Sequence, residues 1–129
     1  MVHPNEDLMR RGFEAFGKGD MATITELFAD DIVWHAPGNS PLSGDFKGRD
    51  SVLALLGKTA ELSGGTLKLE VHDILANDEH GVALLRGTAQ RGGKTLDNNS
   101  VQVFHIRDGK VIESWFHPGD QAATDEFWS

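Results

Sequence analysis

The sequence contains no cysteine and no tyrosine among its 129 residues, and it has no long run of apolar residues. The absence of cysteine excludes disulfides, thiolate metal sites and cysteine nucleophiles, and it fits a reducing cytoplasm. A membrane-spanning helix needs roughly 18 apolar residues in succession, and no such run occurs. The polar start, Met1 to Asp7, lacks the apolar core of a signal peptide. We therefore expect a cytoplasmic protein without a membrane span.

Positive charge is also scarce, since 12 Lys and Arg residues stand against 20 Asp and Glu residues, for a formal net charge of −8. Nucleic acids and anionic membranes are bound by basic surfaces, so neither is an expected partner. The apolar content of 39% and the charged content of 25% are typical of a globular protein. A chain of this length can bury a core of its own, and we expect a single domain over residues 1–129.

The first half of the chain predicts three helices, because apolar residues recur at helical spacing behind capping residues. A strand-like segment, Ile32 to Ala36, follows the second helix and is broken by Pro37 and Gly38. The expected helices are Pro4 to about Phe16, Met21 to Ala29 behind the cap Asp20, and about Ser51 to Leu62 behind the cap Asp50.

The second half predicts four antiparallel strands. Leu67, Leu69 and Val71 alternate with polar residues, which is typical of a half-buried strand. Gly92-Gly93 and Asp108-Gly109 are typical hairpin turns. Helices followed by such strands indicate an α+β domain, with the helices packed on one face of a curved antiparallel sheet. We expect this arrangement to form a cone with a hollow for a small ligand.

The turn at Asp108-Gly109 leaves two pairings open for the last two strands. A two-residue turn places Val103 opposite Ser114, whereas a three-residue loop with a bulge places Gln102 opposite Ser114. The second pairing alone is expected to gather one set of side chains on a single face. That set comprises Gln102, Phe104, Ile112, Ser114 and Phe116.

Trp34 and His35 stand just before the broken loop, where an aromatic ring and a titratable imidazole are typical of a pocket wall. Imidazole titrates near neutral pH, so His35 can take a proton from carbon or activate water. The alternative is that His35 only forms hydrogen bonds with the nearby loop.

Two segments carry a family resemblance. They are LFADDIVWHAPGNSPLSGDFKGRDSVLALL, residues 27–56, and VFHIRDGKVIESWFHPGDQ, residues 103–121. Both resemble the SnoaL-like, ketosteroid-isomerase-related branch of the nuclear transport factor two-like superfamily. The resemblance implies a cystatin-like α+β cone and a homodimer that buries part of the sheet's outer surface. This fold hosts isomerases, polyketide cyclases, epoxide hydrolases, dehydratases and non-catalytic binders.

The resemblance also implies roles for single residues. His35 falls at or next to the position of the isomerases' general base, which is an aspartate in those enzymes. Gln102 falls roughly where they place a protonated aspartic acid, and an amide is a weaker donor. The isomerases' tyrosine has no counterpart here, and Phe116 after Trp115 replaces the acid of the cyclases.

Two further sets of residues are weighed as sites. Arg86 and Asp97 are the nearest match to the Asp-Arg-Asp set of the limonene-epoxide-hydrolase branch, although a surface ion pair is the simpler interpretation. The histidines lack the spacing of metal ligands, so we expect no metal and no cofactor. The histidines in question are His72, His80, His105 and His117.

We interpret the chain as a SnoaL-like pocket protein. One hypothesis is a cofactor-free isomerase, cyclase or hydrolase that acts on an apolar, carbonyl-bearing molecule, with His35 as base and Gln102 as polar anchor. The alternative is a non-catalytic binder of a hydrophobic ligand, or a dimeric interaction module with a filled cone. Phe127 and Trp128 are expected to cover the mouth of the cone or to contact the dimer partner. The residues expected to bind the ligand are Trp34, Phe46, Phe104, Ser114 and Phe116.

Overall fold

A computed structural model describes residues 2–129, which form four helices and one six-stranded sheet. The strands lie in the order β2-β1-β6-β5-β4-β3. None of the helices within the described residues is long and apolar enough to span a membrane. The helices are α1 (Pro4–Lys18), α2 (Met21–Leu27), α3 (Arg49–Leu62) and α4 (Gln121–Trp128). The strands are β1 (Phe28–Ala36), β2 (Gly44–Lys47), β3 (Lys68–Ala76), β4 (His80–Arg91), β5 (Lys94–Arg107) and β6 (Lys110–Pro118).

Both ends of α1 are capped. The His3 ring accepts a hydrogen bond from the Asn5 backbone N–H at 3.0 Å, and Pro4 occupies the first turn, where its missing N–H costs nothing. Gly19 ends the helix in the left-handed conformation, with φ of 70°. The predicted start is confirmed, and the helix runs past its predicted end at Phe16.

The segment between α2 and α3 contains more strand than the sequence predicts. α2 ends at Leu27, and Phe28 already has extended backbone, with φ of −100° and ψ of 136°. β2 was not predicted at all, and it pairs antiparallel with β1, so that Phe46 lies opposite Trp34. α3 begins at Arg49 rather than after Asp50. Gly48 occupies the capping position, and no side chain forms a capping hydrogen bond there.

The sheet is curved and open, and the α+β prediction is confirmed. Its strands are not all antiparallel, since β1 runs parallel to β6. Irregularities in register occur in three of the strand pairs, β1 with β6, β3 with β4, and β5 with β6. Bulges of this kind increase local twist, which helps the sheet wrap around the helices.

Neither predicted pairing of β5 with β6 occurs. Asp108 and Gly109 do form a two-residue turn, with φ of 53° and 76°, and Arg107 pairs with Lys110. An extra β6 residue then shifts the register, so that Phe104 lies opposite Ser114. The shift leaves the expected side chains on one face, except that Ile112 lies in the irregular part of β6 and does not line the cavity described below. The others are Gln102, Phe104, Ser114 and Phe116.

The C-terminal segment folds into α4, a helix that the sequence does not predict. The Asp120 side chain caps it by accepting a hydrogen bond from the Ala123 N–H. Phe127 and Trp128 are only 2% and 6% exposed and pack against a cluster that includes Leu42. The two aromatic residues therefore dock, as expected for a tail that does not fray.

Candidate functional site

The helices and the inner face of the sheet form a partly open cavity of about 190 Å³. Its wall comes from α1, α2, α3, α4, the loop after β1 and strands of the sheet. Most of the wall is aliphatic or aromatic. Its largest side chains are Phe13, Phe16, Phe28, Trp34, Phe104, Phe116 and Trp128.

Aromatic rings fix the shape of one side of the cavity. The ring of Phe104 packs edge-on against Phe13 and Trp34, with ring centroids 6.0 and 6.3 Å apart. Trp34 also contacts Phe28 at 5.6 Å. Each aromatic pair stabilises this arrangement by about 1 kcal/mol beyond the burial of its area. These contacts hold the rings on this side of the cavity against one another.

Gln102 provides a buried polar group in this wall. Its side chain is 4% exposed and donates a hydrogen bond from Nε2 to the Ser114 hydroxyl at 3.1 Å. A carboxamide has two donor hydrogens and an acceptor oxygen, so this bond leaves further capacity toward the cavity. Ser114 is fully buried and does not itself line the cavity, so it acts through Gln102.

A second polar group lies where the loop after β1 meets α4. Gln121 donates from Nε2 to the Asp125 carboxylate at 3.0 Å, and both side chains are half-buried and line the cavity. Gly38, with φ of 92°, lies against them so closely that an added Cβ would stand 2.1 Å from Gln121 Nε2. We call this rim of Gly38, Gln121 and Asp125 the mouth. Among the described residues that line the cavity, Asp125 alone carries an ionisable side chain.

His35 lies on the opposite side of the sheet from the cavity. Consecutive residues of a strand face opposite sides, and Trp34 and Ala36 line the cavity while His35 does not. The His35 ring stacks on Trp115, with centroids 5.5 Å apart. The expectation that His35 and Gln102 act on one ligand is therefore wrong, because the sheet separates them.

The hydrogen bonds of His35 also determine its protonation. Nδ1 lies 2.7 Å from Asp45 Oδ1, and Nε2 lies 2.7 Å from Glu113 Oε2. Ionised carboxylates only accept hydrogen bonds, so the imidazolium form of the ring, in which both nitrogens donate, satisfies both contacts at once. The hydrogen bond to Glu113 first, and that to Asp45 second, raise the pKa of His35 above its ordinary value. An imidazolium with both N–H groups engaged has no lone pair with which to act as a base.

The other predicted site residues divide between the cavity and its surroundings. Trp34, Phe104 and Phe116 line the cavity. Phe46 does not line it, but packs behind the wall against both apolar clusters of the core. Trp128 does line it, and the sequence signal for this was an Asp cap followed by two aromatic residues, Phe127 and Trp128.

Arg86 and Asp97 form a bidentate ion pair, with N–O distances of 2.9 and 2.8 Å. Both side chains are about half exposed, and neither lines the cavity. The hydrogen bond to its partner raises the pKa of Arg86 and lowers that of Asp97. The pair therefore matches the simpler interpretation of a surface salt bridge and adds nothing to a hydrolase site.

The profile of the SnoaL-like domain family matches residues 9–114 of the chain. The uncharacterized protein Rv0034 of Mycobacterium tuberculosis (strain ATCC 25618 / H37Rv) is 39% identical over 124 residues, which cover 95% of each chain. The solved structure of Bal32a, from a soil-derived mobile gene cassette, is 42% identical, with a TM-score of 0.94 over 98% of this chain and 97% of that one. Solved structures described as cystatin-like and NTF2-like also share the fold.

A more distant structure is that of IdmH, a putative polyketide cyclase from Streptomyces antibioticus. It is 21% identical, with a TM-score of 0.74 over 92% of this chain and 93% of that one. At this identity the likeness concerns the fold alone.

Proposed function

We propose, on the premise that the chain belongs to the SnoaL-like domain family, that its cavity binds an apolar small molecule with a neutral polar group. The observation that carries this proposal is a mostly apolar wall in which the amide of Gln102 is buried. A ligand in such a site gains affinity from the apolar wall and orientation from the few polar groups.

The size of the cavity limits the ligand. An apolar cavity of about 150 Å³ is large enough to bind benzene. The cavity here, at about 190 Å³, suits a small ring system or a medium-length alkyl chain. The ligand's carbonyl or hydroxyl would meet Gln102, because an unpaired polar group against the apolar wall would cost about 1–3 kcal/mol.

Binding is favoured over catalysis by His35, because that imidazolium lies outside the cavity and holds two carboxylates. Catalysis of the isomerase or cyclase type is the second candidate, and the observation in its favour is the Gln102 amide. Such an amide can polarise a bound carbonyl oxygen by donating a hydrogen bond to it. Either function requires the same ligand orientation.

The neutral dye 1-naphthylamine, whose fluorescence changes in apolar surroundings, is a small ring system and tests the proposal. We expect saturable binding to the native protein and strong loss of binding in Gly87→Leu, because Gly87 lies in the cavity wall and the added side chain would fill the space. The matched control is Thr88→Leu, whose side chain points to the other face of β4. Equal binding by the native protein and Gly87→Leu would overturn the proposal.

The role of Gln102 is tested by comparing ligands of one length, 2-nonanone and nonane, as competitors of the dye. Replacing Gln102 by Met keeps the volume but removes the amide. We expect Gln102→Met to remove the preference for the ketone. A ketone preference that persists in this variant would place the polar anchor elsewhere.

We also propose that the chain forms a homodimer through the outer face of the sheet. Val103 and Trp115 pair there across β5 and β6 and stay partly exposed, as do Val82 and Leu84 on β4. Val103→Glu would place a carboxylate in the middle of this face and should yield monomers in analytical ultracentrifugation. The control is Ala54→Glu on the exposed side of α3. A native protein that sediments as a monomer would refute the dimer.

The cytoplasmic location stays a prediction.

A further inference from the structure

We infer that Asp125 sets the charge preference of the cavity, so that an apolar molecule with a protonated amine is preferred over one with a carboxylate. This inference rests on the proposed small-molecule function and names the ligand class. It concerns the mouth, which is distinct from the buried amide at Gln102.

The first support is the charge of the wall. The described lining residues include a single ionisable side chain, Asp125, and no Lys, Arg or His. A carboxylate entering this cavity would meet one like charge and no counter-charge within the wall. A charged group that leaves water without a counter-charge is strongly disfavoured, so the wall rejects anions and accepts a cation beside Asp125.

The second support is the fixed position of Asp125. Gln121 donates to its Oδ1, and the backbone of Gly38 lies so close that a Cβ on this residue would stand 2.3 Å from the same oxygen. The carboxylate is therefore held between α4 and the loop after β1 and cannot swing freely into solvent. Its half-buried state lets it contact both the cavity and a group at the entrance.

Two cations bound to α4 do not pair with Asp125. Arg91 donates to the backbone oxygens of Phe127 and Ser129, and Lys94 donates to the backbone oxygen of Glu126. Both cations thus bind the C-terminal end of α4, on residues beyond Asp125, and neither lines the cavity. The overall formal charge of −8 adds a repulsion of the same sign for anions.

The test uses three competitors with the same alkyl chain: octylamine, octanol and octanoate. Near neutral pH the amine carries a positive charge and the carboxylate a negative one. Each competes with 1-naphthylamine for the native protein. We expect the affinities to fall in the order octylamine, octanol, octanoate, with about tenfold or more between the first and the last.

The decisive variant is Asp125→Asn, which has the same shape and can still accept the hydrogen bond from Gln121. We expect the ratio of octylamine to octanoate affinity to fall about tenfold, while octanol binds as before. The matched control is Glu126→Gln, which removes the same charge from the same helix at an exposed residue outside the wall. Its ratio should stay at the native value. Unchanged melting temperatures show that both variants are folded.

The outcomes distinguish the role of Asp125 from the binding function. If octanol displaces the dye but Asp125→Asn leaves the ratio unchanged, the role of Asp125 is wrong and the binding function stands. If Glu126→Gln lowers the ratio as much as Asp125→Asn, the preference comes from the net charge and the role of Asp125 is again wrong. If neither dye nor octanol binds the native protein, the proposed function fails together with this inference.

Salt provides a second measurement on the native protein. A partly exposed carboxylate is screened by salt, whereas apolar contacts are not weakened by it. The affinity for octylamine should therefore fall with added NaCl while that for octanol does not. A constant ratio between the two at all salt concentrations would contradict the role of Asp125.

Discussion

The imidazolium of His35, held between Glu113 and Asp45, should make the stability of the fold depend on pH. The folded pKa of His35 is raised, so the stabilisation is fully present below the ordinary value near 6.5 and is lost as pH rises through the folded pKa. Replacing His35 by Gln removes this contribution. The difference in melting temperature between the two proteins should therefore be largest below about pH 6 and should shrink as the pH rises through the folded pKa.

The size of the effect follows from the exposure of the partners. The Glu113 side chain is 33% exposed and that of Asp45 is 65% exposed, so water screens both ion pairs. We assign about 1 kcal/mol to the bond with Glu113 and about 0.5 kcal/mol to that with Asp45. For a domain of this size the sum corresponds to a difference of about 5 °C in melting temperature at the acidic end.

Thermal unfolding followed by circular dichroism across this pH range is the assay. His72→Gln, at an exposed residue of the edge strand β3, is the control and should show no such convergence. Glu113→Gln should lower the melting temperature more than Asp45→Asn does, because Glu113 is the less exposed partner. A gap between native protein and His35→Gln that stays constant from about pH 6 to about pH 9 would refute the imidazolium assignment.

Three further predictions concern other parts of the fold. Gly38→Ala should lower the free energy of unfolding by about 1–3 kcal/mol in urea titrations, because a Cβ is strained at φ of 92° and meets Gln121. Native stability of this variant would mean that the mouth is less tightly packed than described. Phe127→Ala should lower the free energy of unfolding by about 3 kcal/mol and speed amide exchange throughout α4, because Phe127 is 2% exposed. Native exchange rates in this variant would show that α4 does not depend on Phe127. Arg86→Ala should leave the melting temperature almost unchanged at high salt, since the pair with Asp97 is exposed, and a large loss there would contradict a surface role.

The helical half of the chain could be predicted because its signals are local. Pro4 and Gly19 mark the two ends of α1, because capping depends on a few neighbouring residues. In the second half, the alternation from Leu67 to Val71 marks β3 in the same local way. β2 and the parallel pairing of β1 with β6 could not be found this way. Both depend on contacts between distant segments, which no local pattern encodes.

The error at His35 has a simple physical cause. Trp34 and His35 were both expected in the pocket, yet neighbouring residues of a strand face opposite sides, so only one of them can line it. Gln102, Phe104 and Phe116 share the inner face, although the irregularity in β6 that sets their pairing was not visible in the sequence. Asp125 was missed because α4 itself was missed, and without that helix nothing brings this carboxylate to the cavity.

The central claim, that the cavity binds an apolar small molecule, is tested most directly by the three tryptophan indole signals in a ¹⁵N–¹H correlation spectrum. Trp34 and Trp128 line the cavity, whereas Trp115 stacks on His35 outside it. On titration with octanol we predict that the signals of Trp34 and Trp128 shift in a saturable way and that the signal of Trp115 stays in place. A Trp115 signal that moves while the other two remain fixed would contradict the account.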